Sequence, residues 1–279
     1  MESALSVPAC FSPLLDLSWQ TLRIELRNTR NTFARQHPLA VFAAICKHAA
    51  KQVGIGHHEY FYHPLQGPPD DRIRKNTLYP LELVFPNSDS KDSILCDRFL
   101  SGLKEHLANP RNNFTLHSSE PARNRNLADL LTENPLINPQ EICLDFITPF
   151  PFTPKERGQR HLIDQDIFFR KLEARIKRTF DLDLPEAETS WSEVRLLSCY
   201  WDYYERQRDS ASNTGRQYLN GTVGPLYLRG EIAPVYPLLL LCSEINNGRH
   251  SAFGLGHYRL VHDSENLQKR IDRELNLRV

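Results

Sequence analysis

Apolar residues in this chain change period in the same order twice, and that order limits the fold more than any other feature. From Leu17 to Leu26 apolar and polar residues alternate, which puts Leu22, Ile24 and Leu26 on one side of a strand. Pro38 then stands where a first helical turn tolerates it, and Leu39, Phe42, Ala43, Cys46 and Ala50 recur at helical spacing up to Gly54. Short strands at Tyr60–Tyr62 and Leu78–Phe85, a helix over Ser90–Leu107 and a strand at Asn113–Leu116 follow. The first half therefore reads strand, helix, strand, strand, helix, strand.

Residues Ser118 to Gln140 are rich in Asn, Pro, Ser and charge, and read as a connection. Beyond it the order returns. Ile142–Ile147 is a strand, Leu162–Phe180 a helix with a basic tail, and Val194–Tyr204 and Tyr218–Leu228 are strands around a polar turn at Asp209–Gly215. Pro234–Asn246 reads as a buried helix, Phe253–Val261 as a last strand, and His262–Leu277 as a charged C-terminal helix. Twice βαββαβ is the split βαβ pattern. The expectation is an α+β protein of two tandem ferredoxin-like (RRM-like) domains with a C-terminal helix: residues 1–117, a linker at 118–140, and 141–279.

Composition narrows function only a little. Lys+Arg 34 balances Asp+Glu 34, so net charge announces no polyanion or membrane partner. The balance is uneven locally: Trp19 to His58 holds six Lys/Arg against one Glu, and Asp181 to Glu193 holds five acids without a Lys or Arg. A basic face opposite an acidic one suits a polyanion. The longest apolar run, Val235 to Cys242, is too short for a bilayer span. The Met-Glu-Ser-Ala start lacks a secretory signal, and six cysteines occur without a CxxC pair, which points to a cytoplasmic protein with reduced thiols. No HExxH, GxxxxGK[ST] or GxSxG motif is present, so neither a metal site nor a cofactor is implied. His57, His58 and His63 are close in sequence but have no carboxylate or cysteine at ligand spacing.

Seven of the 12 glycines fall between Gly215 and Gly256. Glycine is required where φ is positive or a second backbone approaches closely. In Asn246-Asn247-Gly248-Arg249-His250-Ser251-Ala252-Phe253-Gly254-Leu255-Gly256 an apolar helix leads into a loop whose N–H groups and Arg249 suit phosphates. This stretch resembles the C-terminal signature of the CRISPR-associated endoribonucleases that process precursor crRNA, members of the RAMP superfamily. Their glycine-rich loop has the form GhGxxxxxGhG with a Lys or Arg among the x positions. Aligned on Gly254-Leu255-Gly256, the leading GhG becomes Asn246-Asn247-Gly248, so one glycine is replaced by asparagine. Leu144-Asp145-Phe146-Ile147-Thr148-Pro149, followed by a helix with a basic end, resembles the opening of the family's second domain.

The resemblance implies tandem ferredoxin-like domains and metal-independent cleavage of CRISPR repeat RNA by a ribose 2′-OH, leaving a 2′,3′-cyclic phosphate. It also implies partners: the crRNA hairpin, on which many members stay bound, and other subunits of the interference complex. The alternative is a RAMP-type RNA-binding subunit that does not cleave. Cleavage needs a base, an acid and cations for the phosphorane, and imidazole suits the first two roles. The family's base lies on or near the first helix, which makes His48 and His57 candidates, with His37 and His58 behind them. Arg23 and Arg35 are candidates as guanidinium groups that stabilise the phosphorane. Tyr60 and Tyr62 are placed to orient a base or stack on a nucleotide. For RNA binding the candidates are Lys47 and Lys51, Arg175 and Arg178 of the basic helix, and Gly248, Arg249, His250, Gly254 and Gly256 of the loop.

Overall fold

The computed structural model describes residues 7–30, 32–33, 38–66, 72–86, 94–151, 163–197, 202–204, 207–208, 217–248 and 251–261. After a 3-10 helix at Ala9–Asp16, the first half runs β1 (Ser18–Asn28), β2 (Thr32–Phe33), α1 (Pro38–Gln52), β3 (Phe61–Pro64), β4 (Arg72–Ile73), β5 (Leu78–Phe85), α2 (Ile94–Leu107), β6 (Phe114–Ser119), β7 (Arg123–Asn126) and α3 (Leu127–Glu133). The second half runs β8 (Glu141–Phe150), α4 (Gln165–Phe180), β9 (Val194–Leu197), β10 (Asp202–Tyr204), β11 (Gln207–Arg208), β12 (Gln217–Tyr218), β13 (Gly221–Gly230), α5 (Tyr236–Glu244) and β14 (Tyr258–Val261).

Each half forms an antiparallel sheet of ferredoxin-like order. The first is β3-β5-β1-β6 and the second β10-β13-β8-β14, so in both the first strand sits between the third and the last. Alternation in β1 does what the sequence predicts: Leu22, Ile24 and Leu26 are buried with α1 and α2. Those helices run so close that a Cβ on Gly102 would overlap the Ala49 carbonyl oxygen. α1 stops at Gly54, which takes φ +69°, while the Ile55 amide reaches back to the Ala50 carbonyl at 2.9 Å. Asp164 caps α4 by accepting from the Asp166 and Ile167 amides.

The segment expected as a bare connection carries structure. β7 pairs with β1 from Ser18↔Asn126 to Thr21↔Arg123, and α3 is capped by Asn126 and buries Leu127 and Leu130. Its polar composition misleads because β7 contributes main-chain pairing rather than apolar burial. The strand expected from Val194 to Tyr204 pairs with β13 in two pieces, β9 and β10. The last strand is shorter than expected and begins at Tyr258, because Ser251–Phe253 is a 3-10 turn and Gly254 and Gly256 take φ +72° and +79°. Strand backbone does not occupy that region. The expected C-terminal helix lies outside the described residues.

The two sheets are joined through side chains. α5 is buried from Tyr236 to Cys242 and, with α4, shares an apolar cluster with Trp19, Phe61 and Val84 on the far face of the first sheet. Trp19 lies 6.5 Å from the Phe180 ring at the end of α4. Cys46, Cys96, Cys143 and Cys242 are buried free thiols, packed as small apolar groups. Among the described residues no helix is long and apolar enough to cross a membrane.

Candidate functional site

The structure distributes the three described catalytic candidates over three places. Arg23 projects from the far face of β1, and its Nε donates to Glu82 Oε1 on β5 at 2.7 Å. That bond raises the Arg23 pKa against the opposing effect of burial. Glu82 also accepts from His63 Nε2 on β3 at 3.1 Å. Burial by itself would raise the Glu82 pKa, but the bonds and charges of His63 and Arg23 outweigh it and bring it down to about 2. His63 stacks on His257 of the second unit, with ring centroids 3.9 Å apart and planes 7° from parallel. Burial holds His257 well below the usual imidazole range, reinforced by the charges of His63 and Arg259. Arg23, itself exposed, thus heads an ion-pair network that runs inward through buried Glu82 and His63 to His257 beside the glycine loop.

His48 occupies the solvent face of α1 beside exposed Lys47 and Lys51. Its Nδ1 bonds the Ala44 carbonyl at 2.7 Å. Since a carbonyl only accepts, the proton sits on Nδ1 and Nε2 is left to take one up. The ring stacks on His106 of α2, centroids 5.2 Å apart and planes 6° from parallel. Burial and then the His48 charge lower the His106 pKa. Two imidazoles and two lysines therefore share one surface of the helical layer. His57 and His58 lie on the turn after α1, exposed and edge to face at 5.6 Å. His63, by contrast, is buried. Tyr60 and Tyr62 are buried, and Tyr62 donates its hydroxyl to the Leu39 carbonyl at the start of α1.

The glycine-rich loop is built by its own amides and carbonyls. Asn247, fully buried, donates from Nδ2 to the carbonyls of Cys242 (2.6 Å), Ile245 (2.9 Å) and Gly256 (3.2 Å). Gly248 takes φ +81°, and a Cβ there would press on Pro151. Gly254 sits on the Tyr62 ring and Gly256 against the Asn247 backbone. Packing therefore accounts for the glycine at both positions. Arg175, expected on a basic outer face, is instead only 4 % exposed. Its guanidinium lies 4.1 Å over the Phe61 ring and donates to Ser251 Oγ at 3.1 Å, so it braces the loop from below. Burial, with the Arg178 charge, lowers its pKa to about 10. Arg178, three residues further along α4, is exposed.

Arg35, His37, Arg249 and His250 lie outside the described residues. Tyr62 links the start of α1 to the loop: its hydroxyl donates to the Leu39 carbonyl and its ring carries Gly254. Sequence reasoning missed His106, Glu82, His257 and the amide of Asn246. His106 had a weak signal, a histidine four residues after the close-packing Gly102. The others become partners only through the tertiary fold. Among the described residues no three His, Cys, Asp or Glu side chains group as metal ligands.

The chain thus combines two ferredoxin-like units with a glycine-rich loop between the last helix and the last strand. Residues 144–258 match the model of the CRISPR-associated endoribonuclease Cas6 family. The fold likeness extends further. A chain of a partial Cas6-RT-Cas1–Cas2 complex superposes with TM-score 0.63 at 14% identity, covering 89% of this chain and 47% of that one. Against the chain of the Cas6-RT-Cas1–Cas2 complex this protein spans 29% of the length. Thermus thermophilus Cas6 superposes with TM-score 0.56 at 15% identity, covering 88% of this chain and 99% of that one. No curated protein matches the sequence.

Proposed function

We propose that the chain matures crRNA by cutting CRISPR repeat RNA without a metal, using a ribose 2′-OH as nucleophile, and that it stays on the crRNA 3′ hairpin as an effector-complex subunit. The observation that carries this reading is the Cas6 family match over the segment bearing the glycine loop, together with the docking of that loop beside the start of α1. In the proposed step the 2′-oxygen bonds to phosphorus, the P–O5′ bond breaks, one proton leaves the 2′-OH and another reaches the 5′-oxygen. His48 Nε2 accepts the first, solvent water supplies the second to the leaving 5′-oxygen, and Lys47 and Lys51 offset the charge on the phosphorane. Exposed Arg178 and the loop hold the RNA backbone. The solved relatives in Cas6-RT-Cas1–Cas2 complexes support an enzyme that works within an assembly.

The test is incubation with labelled repeat RNA in EDTA, followed by end-group analysis. Discrete cuts ending in a cyclic phosphate are expected. His48→Ala is expected to slow single-turnover cleavage by about 100-fold or more with RNA affinity unchanged. If His57→Ala shows that loss and His48→Ala does not, the base is on the turn rather than on α1. The second reading, a non-cleaving RNA-binding subunit, is favoured by the separation of His48, His57 and Arg23 into three places. Tight repeat binding without any cut would establish it.

A further inference from the structure

The second unit grips the first along one edge strand. Running along β3 and just past it, Arg175 lies over the Phe61 ring, Gly254 over the Tyr62 ring, His257 on His63, and Arg259 donates to the Leu65 carbonyl. Ring stacking and apolar contact tolerate sliding, whereas a hydrogen bond to backbone has direction. Asn246 supplies that bond within the loop itself. Fully buried, it donates one Nδ2 proton to the Tyr62 carbonyl at 2.7 Å and the other to the Ser251 carbonyl at 3.0 Å. One amide thus ties β3 to the far side of the loop. Among the described residues its Oδ1 has no hydrogen-bond partner, so the donor pair is what the buried amide provides. Tyr62 continues the path by donating its hydroxyl to Leu39 in α1.

We infer that Asn246 is a positioning residue, which sets the glycine-rich loop against β3 so that RNA held on the loop meets the reacting groups of the first unit. The inference rests on the proposed RNA cleavage. A loop displaced by about 1 Å still binds phosphates but misaligns the 2′-oxygen, phosphorus and 5′-oxygen, and misplacement of that size costs on the order of 100-fold in rate. Asn246 therefore acts on the rate constant of the bound complex rather than on affinity.

Asn246→Asp keeps the size and replaces Nδ2, with both its protons, by one oxygen that faces the Tyr62 and Ser251 carbonyls. The expected result at pH 8 is single-turnover cleavage at saturating RNA slowed by about 30-fold or more, with the RNA Kd within about threefold of wild type. Protonation restores one donor, so the ratio of variant to wild-type rate rises as pH falls. Arg175, Arg259, His63, His257 and Glu82 are the charged or ionisable groups around the same strip, and they are common to both proteins, so the ratio at each pH isolates the substituted residue. Asn246→Ala lowers the rate without that pH recovery, and Asn246→Ser serves in its place if alanine is not tolerated. Hydrogen exchange on the RNA-free protein tests the tie independently of catalysis: amides of residues 61–63 and 251–256 should exchange faster in every variant. A cleavage rate within threefold of wild type, or a rate and affinity that fall together, overturns the inference. If wild type does not cut, the proposed function fails, and unchanged exchange at those amides then overturns the tie as well.

Discussion

Gly256→Ala should destabilise the protein by about 3 to 5 kcal/mol in denaturant unfolding. Gly256 takes φ +79°, and a Cβ there would overlap the Asn247 carbonyl oxygen, which cannot retreat. The Asn247 amide is bonded to the Gly256 carbonyl at 3.0 Å, and the Gly256 amide to the Pro149 carbonyl at 2.9 Å. Left-handed backbone costs about 1–2 kcal/mol for a residue with a Cβ. Relieving the overlap costs a further 1–3 kcal/mol or so, and each strained backbone bond about 1. Gly254→Ala is the comparison. A Cβ there meets the Tyr62 ring at 3.1 Å and the Tyr62 carbonyl oxygen at 3.3 Å, far looser than the contact at Gly256, and the substitution is expected to cost less. Equal losses at the two positions, or a loss under about 1 kcal/mol at Gly256, would show that the loop is not locked as described.

Removing the Glu82 carboxylate has an effect of similar size but with a pH signature. Its pKa falls from 4.5 to about 2 in the folded state, against burial and through His63 and Arg23. A depressed carboxylate pKa stabilises the fold above the unfolded value, and that contribution is lost as pH drops through the folded one. The window runs from 4.5 down to about 2. The shift corresponds to about 3 kcal/mol at neutral pH. Glu82→Gln is expected to be about 3 kcal/mol less stable than wild type at pH 7 and nearly equal to it at pH 2. Urea unfolding of both proteins across that range, compared as a difference, removes the contribution of the other carboxylates. A difference that does not shrink toward acid pH would contradict the network.

Much of the fold was legible because burial leaves a period in the sequence. Leu22, Ile24 and Leu26 announced β1, and the continuous apolar run through Leu241 announced a helix covered on every side. β7 left no such trace, since Arg123 to Asn126 contribute backbone pairing to β1 with no buried side chain. Arg175 is a similar case. Its charge read as a solvent face of α4, but the docked first sheet covers that face and turns the residue into a brace for Ser251. The glycines signalled unusual backbone correctly, yet their partners, Tyr62 and Asn247, follow only from the way the two units meet. His48 was legible through helical phase, and the carbonyl bond that fixes its tautomer follows from the same geometry at i−4.

The central claim is that a ribose hydroxyl, placed by this protein, cuts repeat RNA. The most direct measurement compares two repeat RNAs that differ only by a 2′-deoxyribose at the cut, both in EDTA and both at saturating protein. The account predicts equal binding, cleavage of the ribose substrate to a cyclic phosphate, and no cleavage at that position in the deoxy substrate. Cleavage of the deoxy substrate at the same site, or an absolute requirement for a divalent metal, would contradict it.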